Sequence, residues 1–293
     1  MLVCSLVFLA ILLFCPSVAL TGSKYGAALW LTELIPTLLP FFIAIRLFQE
    51  GLPRIASRRC TLFLGLLCGY PAGAALVIYQ YRKGLLPRHK TYFYLGFVNN
   101  PSPVFILSFC GTYVLHLNYQ ESLVLLATVI LSSLLGSLTF HLIYKKVSRK
   151  ASATPPPAIP SQKETDITFS QCIDDCILQS FILITKIGGY VIVFSILGQV
   201  LGKFVSLNTA SGILSLGALE ITSGISYLKQ ACLPHITKEI LTVMLLCFGG
   251  LSAAAQTSSI VSQSGLSLIP YLCNKLWNAI LGGSIICLLL RFF

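Results

Sequence analysis

Long apolar stretches alternate with short polar ones along the whole chain. Apolar runs cover 2–20, 26–45, 60–81, 91–115, 122–143, 177–201, 207–227, 240–263 and 266–290. About 20 apolar residues make a helix that crosses the ~30 Å hydrocarbon core of a bilayer. The pattern therefore predicts an all-α polytopic membrane protein with seven or eight membrane helices. Run 122–143 is unbroken. Others carry residues that a plain membrane helix lacks: Glu33, Pro36 and Pro40 in the second, Gly69, Pro71 and Gly73 in the third, and Asn99-Asn100-Pro101-Ser102-Pro103 in the fourth. Pro16, Ser17 and Ala19 have the look of a secretory cleavage site. No Lys or Arg precedes Lys24, however, so the positive start of a signal peptide is missing and a retained helix is expected.

The third run conflicts with a simple crossing. Its flanks are both basic: Arg46, Arg54, Arg58 and Arg59 before it, Arg82, Lys83, Arg88 and Lys90 after it. Basic loops stay in the cytoplasm, so both flanks belong on one side. Folding the run at Gly69-Tyr70-Pro71 yields two half-helices of roughly 14 Å each that enter and leave by the same face. Glycine permits the tight turn and Pro71 withholds a backbone donor. The alternative is a kinked spanning helix. Sliding the first half over the second so that Gly69 meets Gly250 also matches Leu64 with Leu245, Ala72 with Ala253, Ala74 with Ala255, Gly84 with Gly265 and Leu85 with Leu266. That register predicts two structural repeats, each with a re-entrant helical hairpin and an interrupted helix, the second hairpin turning at Gly249-Gly250. The repeats occupy 1–144 and 173–293. Between them, 145–172 is a basic, Pro-rich cytoplasmic linker containing Pro155, Pro156, Pro157 and Pro160.

Composition narrows the class. Only 10% of the 293 residues are charged, against about 25% in a soluble domain, while 56% are apolar and the mean hydropathy is +0.85. These values exclude an ordinary soluble enzyme and a disordered chain. The net charge of +11 sits in the short basic loops, where it encodes topology rather than nucleic-acid binding. The 11 cysteines form no C-x-x-C and lie mostly within apolar runs, so no disulfide framework, metal site or cofactor is expected. There is no G-x-x-x-x-G-K-[ST], and His89, His116, His141 and His235 are scattered. The chain does not read as an enzyme.

What remains are polar groups that lipid should not tolerate. Glu33 lies about 10 Å into its run, Glu220 sits inside 207–227, and Lys186 lies near the middle of 177–201. An ionisable side chain at such depth costs a few kcal/mol and is paired or faces water. The functional reading gives Glu220 and Glu33 to ion coupling, and Glu220 and Lys186 to solute binding. The other reading is a buried ion pair, for instance Lys186 with Glu220. Asn99, Asn100 and Ser102 stand among prolines that free backbone carbonyls. Gln256 and Thr257 follow the small-residue turn at Gly249-Gly250. These two sets are expected to meet at one wet site near the midplane, or else each caps its own broken helix.

Four of these motifs together resemble one family. Gly69-Tyr70-Pro71-Ala72-Gly73-Ala74, the Asn99–Pro103 break, Glu220-Ile221-Thr222-Ser223-Gly224, and Phe248-Gly249-Gly250-Leu251-Ser252 followed by Gln256 resemble the YlbJ/SpoVV family of sporulation integral membrane proteins. That family carries the nucleoside-recognition, or gate, domain. The resemblance runs from Trp30 to Lys275. It implies a fold like the concentrative nucleoside transporters and a secondary transporter of a small polar or anionic solute, with dipicolinate export during sporulation as the specific case. The implied place is the bacterial cytoplasmic membrane or the outer forespore membrane. The implied partners are the solute, a coupling proton or sodium ion, and lipid. The nucleoside transporters place an acidic residue beside a Gln-Thr pair. Here Ser258 follows Gln256-Thr257, which argues against a nucleoside. The alternatives are a nucleoside transporter, and a membrane scaffold for spore formation that transports nothing.

Overall fold

The computed structural model describes residues 2–51, 58–147, 169–206 and 208–290. All regular structure among them is helical. Arg54 and most of the linker lie outside the described residues.

Among the described residues, five segments are long and apolar enough to cross a membrane: Pro16–Leu47, Tyr119–Lys146, Ser170–Leu201, His235–Val261 and Ile269–Leu289. The protein is an integral membrane protein. Fewer of the described helices reach that length than the expected seven or eight membrane helices, because several apolar runs fold as half-length helices. Exposed Leu6, Phe14, Leu131, Leu142, Phe181 and Leu276 cover the outer faces with apolar surface, as contact with lipid requires.

The N-terminal region departs from its expected division. Helix α1 (Leu2–Phe14) ends at Cys15, just before Pro16. From Pro16 the chain is helical through α2 (Pro16–Leu29), a π-helical turn (Trp30–Leu34) and α3 (Ile35–Gly51). No loop separates residues 20 and 26. Gly22 and Gly26 form a small-residue face against α8 (Phe169–Leu201). A Cβ on Gly22 would stand 2.6 Å from Ile196 Cα. Glycines four apart let two membrane helices approach at backbone distance.

Helices α4 (Arg58–Cys68) and α5 (Ala72–Arg82) pack antiparallel as a hairpin, each arm about 16 Å long at helical rise. The turn uses Gly69 at φ +69° and a cis Tyr70–Pro71 bond. Helix α6 (Arg88–Val98) stops at Asn99, and Pro101 and Pro103 follow before a π-helical stretch over Phe105–Val114. The long α7 (Tyr119–Val147) leads toward the linker.

Run 207–227 is not one helix. It divides at Glu220 into α9 (Ala210–Leu219) and α10 (Ile221–Gln230), which fold onto each other as the second hairpin. The expected hairpin turn at Gly249-Gly250 is corrected by this. Gly249, at φ +87°, breaks α11 (His235–Phe248) from α12 (Gly250–Val261), but the two continue as one membrane-length segment. Helix α11 lies mainly against α13 (Ile269–Leu289) and also against α7, α9 and α10, whereas α12 lies against α5, α8 and α9. A glycine pair serves a bent helix as readily as a tight turn, so the identities at the Gly69–Gly250 register matched unlike elements. The order hairpin, broken helix, long helix occurs twice, with Tyr70, Asn99 and Tyr119 as far from one another along the chain as Glu220, Gly249 and Ile269.

The second hairpin depends on close contact between its arms. A Cβ on Gly224 would run into the backbone of Gly217 at its Cα. Gly224→Val is expected to force the arms apart at a cost of about 1–3 kcal/mol, read as a lowered unfolding midpoint in detergent. A parent-like midpoint would show that the arms do not close as described.

Segment His235–Val261 is the innermost span. Of its most apolar window 72% is buried, against 28–39% for the other four. Two apolar clusters flank it. One gathers Leu34, Phe105, Phe109, Ile213 and Leu245, the other Ala74, Tyr92, Leu95, Ala254 and Tyr271.

Candidate functional site

The two broken helices meet where their backbones are interrupted. Asn99, fully buried, donates from Nδ2 to Thr257 Oγ1 at 3.0 Å and to Tyr271 Oη at 2.9 Å. Its Oδ1 accepts from the Ala74 N–H at 3.1 Å. One side chain thus joins the first turn of α5, the middle of α12 and the start of α13. The Oδ1 contact satisfies one of the N–H groups that the start of a helix leaves without intrahelical partners.

Asn100 completes the join. Its backbone C=O accepts from Tyr70 N at 3.0 Å, which ties the first hairpin's turn to the break. Its Nδ2 donates to Phe97 O at 2.6 Å. Its Oδ1 accepts from Ser133 Oγ at 3.2 Å and from Lys275 Nζ at 2.6 Å. Ser102 Oγ accepts from Phe105 N at 3.3 Å and so caps the helix after the break. A Cβ on Gly69 would lie 2.7 Å from Ser102 N, so only glycine lets the hairpin turn approach this closely. Gly73 is likewise pressed against the break, its Cβ position 2.9 Å from Val98 O.

The second hairpin is capped from within. Glu220 is 2% exposed and extended, and its carboxylate accepts from Thr222 N at 3.0 Å and from Ser223 N at 2.5 Å. It is the N-cap of α10. Between the two hairpin turns lies a cavity of about 40 Å³ lined by Tyr70, Ser102, Thr222, Cys68 and Phe105 among others. That volume holds a water or two, not a solute.

The larger cavity, about 610 Å³, opens beside the first hairpin. Pro71, Ala72, Ala75 and Leu76 form one wall, Leu183, Lys186 and Tyr190 of α8 another, and Gln256, Ser259 and Ile260 of α12 a third, with Arg46 of α3 at its edge. Gln256 Oε1 is buried there with no protein partner. Lys186 and Gln256, far apart in sequence, therefore share one cavity, and Asn99 and Thr257 share one hydrogen bond. The two pairs are linked through the adjacent positions Gln256 and Thr257. Lys186 and Glu220 form no ion pair with each other. Glu33 stands apart in the π-helical turn, where its carboxylate accepts from the Thr32 hydroxyl at 3.4 Å.

A curated protein of Bacillus subtilis (strain 168), the sporulation integral membrane protein YlbJ, is 23% identical to this chain over 94% of the chain and 78% of its own length. The chain is a homologue of YlbJ. The match with YlbJ covers both hairpins and both broken helices, since it spans nearly the whole chain. No family model and no solved structure matches the chain.

One central residue escaped the sequence reading. Lys275 is 1% exposed in the second turn of α13, inside a run that reads as a plain apolar helix. The signal was present. Tyr271, Asn274, Lys275 and Asn278 recur at helical spacing, and all four are buried on one face. Asn274 Nδ2 donates to Tyr92 O at 3.0 Å and Asn278 Nδ2 to Gly96 O at 3.2 Å. Lys275 Nζ donates to Asn99 O at 3.3 Å as well as to Asn100 Oδ1. This stripe runs along α6 and, through Asn278 and Lys275, meets the Gly96 and Asn99 carbonyls at its end.

Proposed function

We propose that the protein is a secondary transporter that carries a small anionic solute across the membrane. The observation that carries the reading is the 610 Å³ cavity, walled by a hairpin, a spanning helix and a broken helix, and bearing Arg46 and Lys186. Its volume falls within the usual range of about 300–1,000 Å³ for small-molecule sites. Two cations suit two carboxylates, and Tyr190 lines the same space. The first turn of α5, with its positive end, borders the same space. A rigid aromatic dicarboxylate such as dipicolinate fits this chemistry. The relative's printed name places YlbJ in sporulation, the setting in which such an anion moves between mother cell and forespore. The cytoplasmic membrane or the outer forespore membrane is the corresponding place, and a membrane scaffold would need no cavity with paired cations.

The hairpin α4–α5 is the mobile element in this reading. It enters the bilayer without crossing it and is held to the break by the Ala74 and Tyr70 contacts. Releasing those contacts would open the cavity toward the other side. Thiol labelling of cysteines placed at Arg46 and Lys83 should find both accessible from the cytoplasm. Opposite accessibility would rule out a re-entrant hairpin.

The test of function is flux. In proteoliposomes, labelled dipicolinate should exchange and labelled uridine should not. Lys186→Gln should lower dipicolinate flux about tenfold at limiting solute, the loss of one charge-assisted contact, while leaving the unfolding midpoint in place. Absence of flux for any organic anion would overturn the transport reading.

A further inference from the structure

The α13 stripe contains its own comparison. Asn274 and Asn278 satisfy carbonyls of α6 with neutral amides. Lys275, between them, meets the oxygens at the break with an ammonium. Hydrogen bonding alone does not call for the charge, because the neighbours manage without it. A buried ammonium is also costly where water cannot hydrate it. What distinguishes position 275 is its place at the C-terminal end of α6. There the helix macrodipole gathers about half a negative charge, and Asn99 O and Asn100 Oδ1 converge on Nζ. In membrane transporters, unwound carbonyls and the C-terminal ends of half-helices form the oxygen sites that hold coupling cations. The lysine stem reaches this point past Gly249, whose Cβ position is 3.8 Å from Lys275 Cε.

We propose that the Lys275 ammonium is a tethered cation that occupies the oxygen site at the α6 break in place of a free monovalent cation, so that this protein needs no sodium there. The site needs positive charge to hold α13 against the α6 break, and the chain supplies that charge covalently. Only the flux consequence rests on the transport reading. The occupancy of the site is tested without it.

The experiment uses the full chain in detergent and follows its unfolding midpoint at fixed ionic strength in choline chloride, sodium chloride or n-propylammonium chloride. The last probe matches the atoms that Lys275→Ala removes. The parent protein is expected to show the same midpoint in all three salts. Lys275→Ala should unfold several degrees lower in choline and regain part of that loss in sodium or n-propylammonium. An equal midpoint for Lys275→Ala in all three salts overturns the proposal. So does a sodium-dependent midpoint in the parent. Lys275→Gln keeps a donor without the charge. It should be less stable than the parent in choline, and parental stability there overturns the need for a cation. In proteoliposomes, parental flux should be undiminished when choline replaces sodium, and a sodium requirement overturns the substitution. If no solute moves in any medium, the transport reading fails while the unfolding results still decide the site.

Discussion

Asn99→Ala should destabilise the protein by about 3 kcal/mol and abolish flux with it. Asn99 makes three side-chain hydrogen bonds to three different elements, all buried. Thr257 and Tyr271 carry hydroxyls that can turn to each other once the amide is gone. Ala74 N–H has no such freedom, because it belongs to the first turn of α5. A buried donor left without a partner costs about 1–3 kcal/mol, and each lost bond adds about 1. The cost falls on the junction between the two halves of the chain, so the hairpin should loosen before the outer helices do. Asn99→Asp keeps the oxygen that faces Ala74 and lets both hydroxyls donate, and should cost less than half as much. Reversible unfolding in mixed detergent measures both. An alanine variant within about 0.5 kcal/mol of the parent would show that the Asn99 contacts do not bridge the halves.

Glu220→Ala comes next in size, at about 2–3 kcal/mol. The carboxylate accepts from two backbone N–H groups at the start of α10, and hydrogen bonds to a charged acceptor are worth more than neutral ones. Removing it leaves both donors buried. Glu220→Gln retains one acceptor oxygen and should lose about half of that. The two substitutions separate the cap from an ion-coupling role. A pure cap predicts that stability and flux fall in step, worse for alanine than for glutamine. If glutamine instead spares stability and still removes flux, the charge itself takes part in coupling.

The parts of the site that the sequence made legible are those where chemistry contradicts lipid. Pro101 and Pro103 cannot both continue a helix, so the break at Asn99 was readable without coordinates. Glu220 was readable as an anomaly in an apolar run. Its role was not, because periodicity cannot tell a charge inside a spanning helix from a charge at the start of a half-helix. The glycines were the least legible. Gly22 and Gly26 lie at the boundary between two apolar runs and make a helix contact. Gly249 and Gly250 suggest a hairpin and make a bend, while the true second turn contains no glycine at Glu220. Small residues record close approach, but not what approaches. Lys275 was hidden by the apolar length of its run, although the spacing of its polar neighbours gave it away.

The position of His235–Val261 bears on how the protein is made. This innermost span offers lipid little apolar surface, and the polar atoms of the α6 break, which leave the ribosome early, find Thr257, Tyr271, Lys275 and Asn278 only near the end of the chain. Until then the nascent first half exposes carbonyls and amides that the bilayer cannot satisfy. Maturation therefore waits for the last helix. A chain cut in the linker should yield two fragments that are each degraded when made alone and that rescue one another when made together.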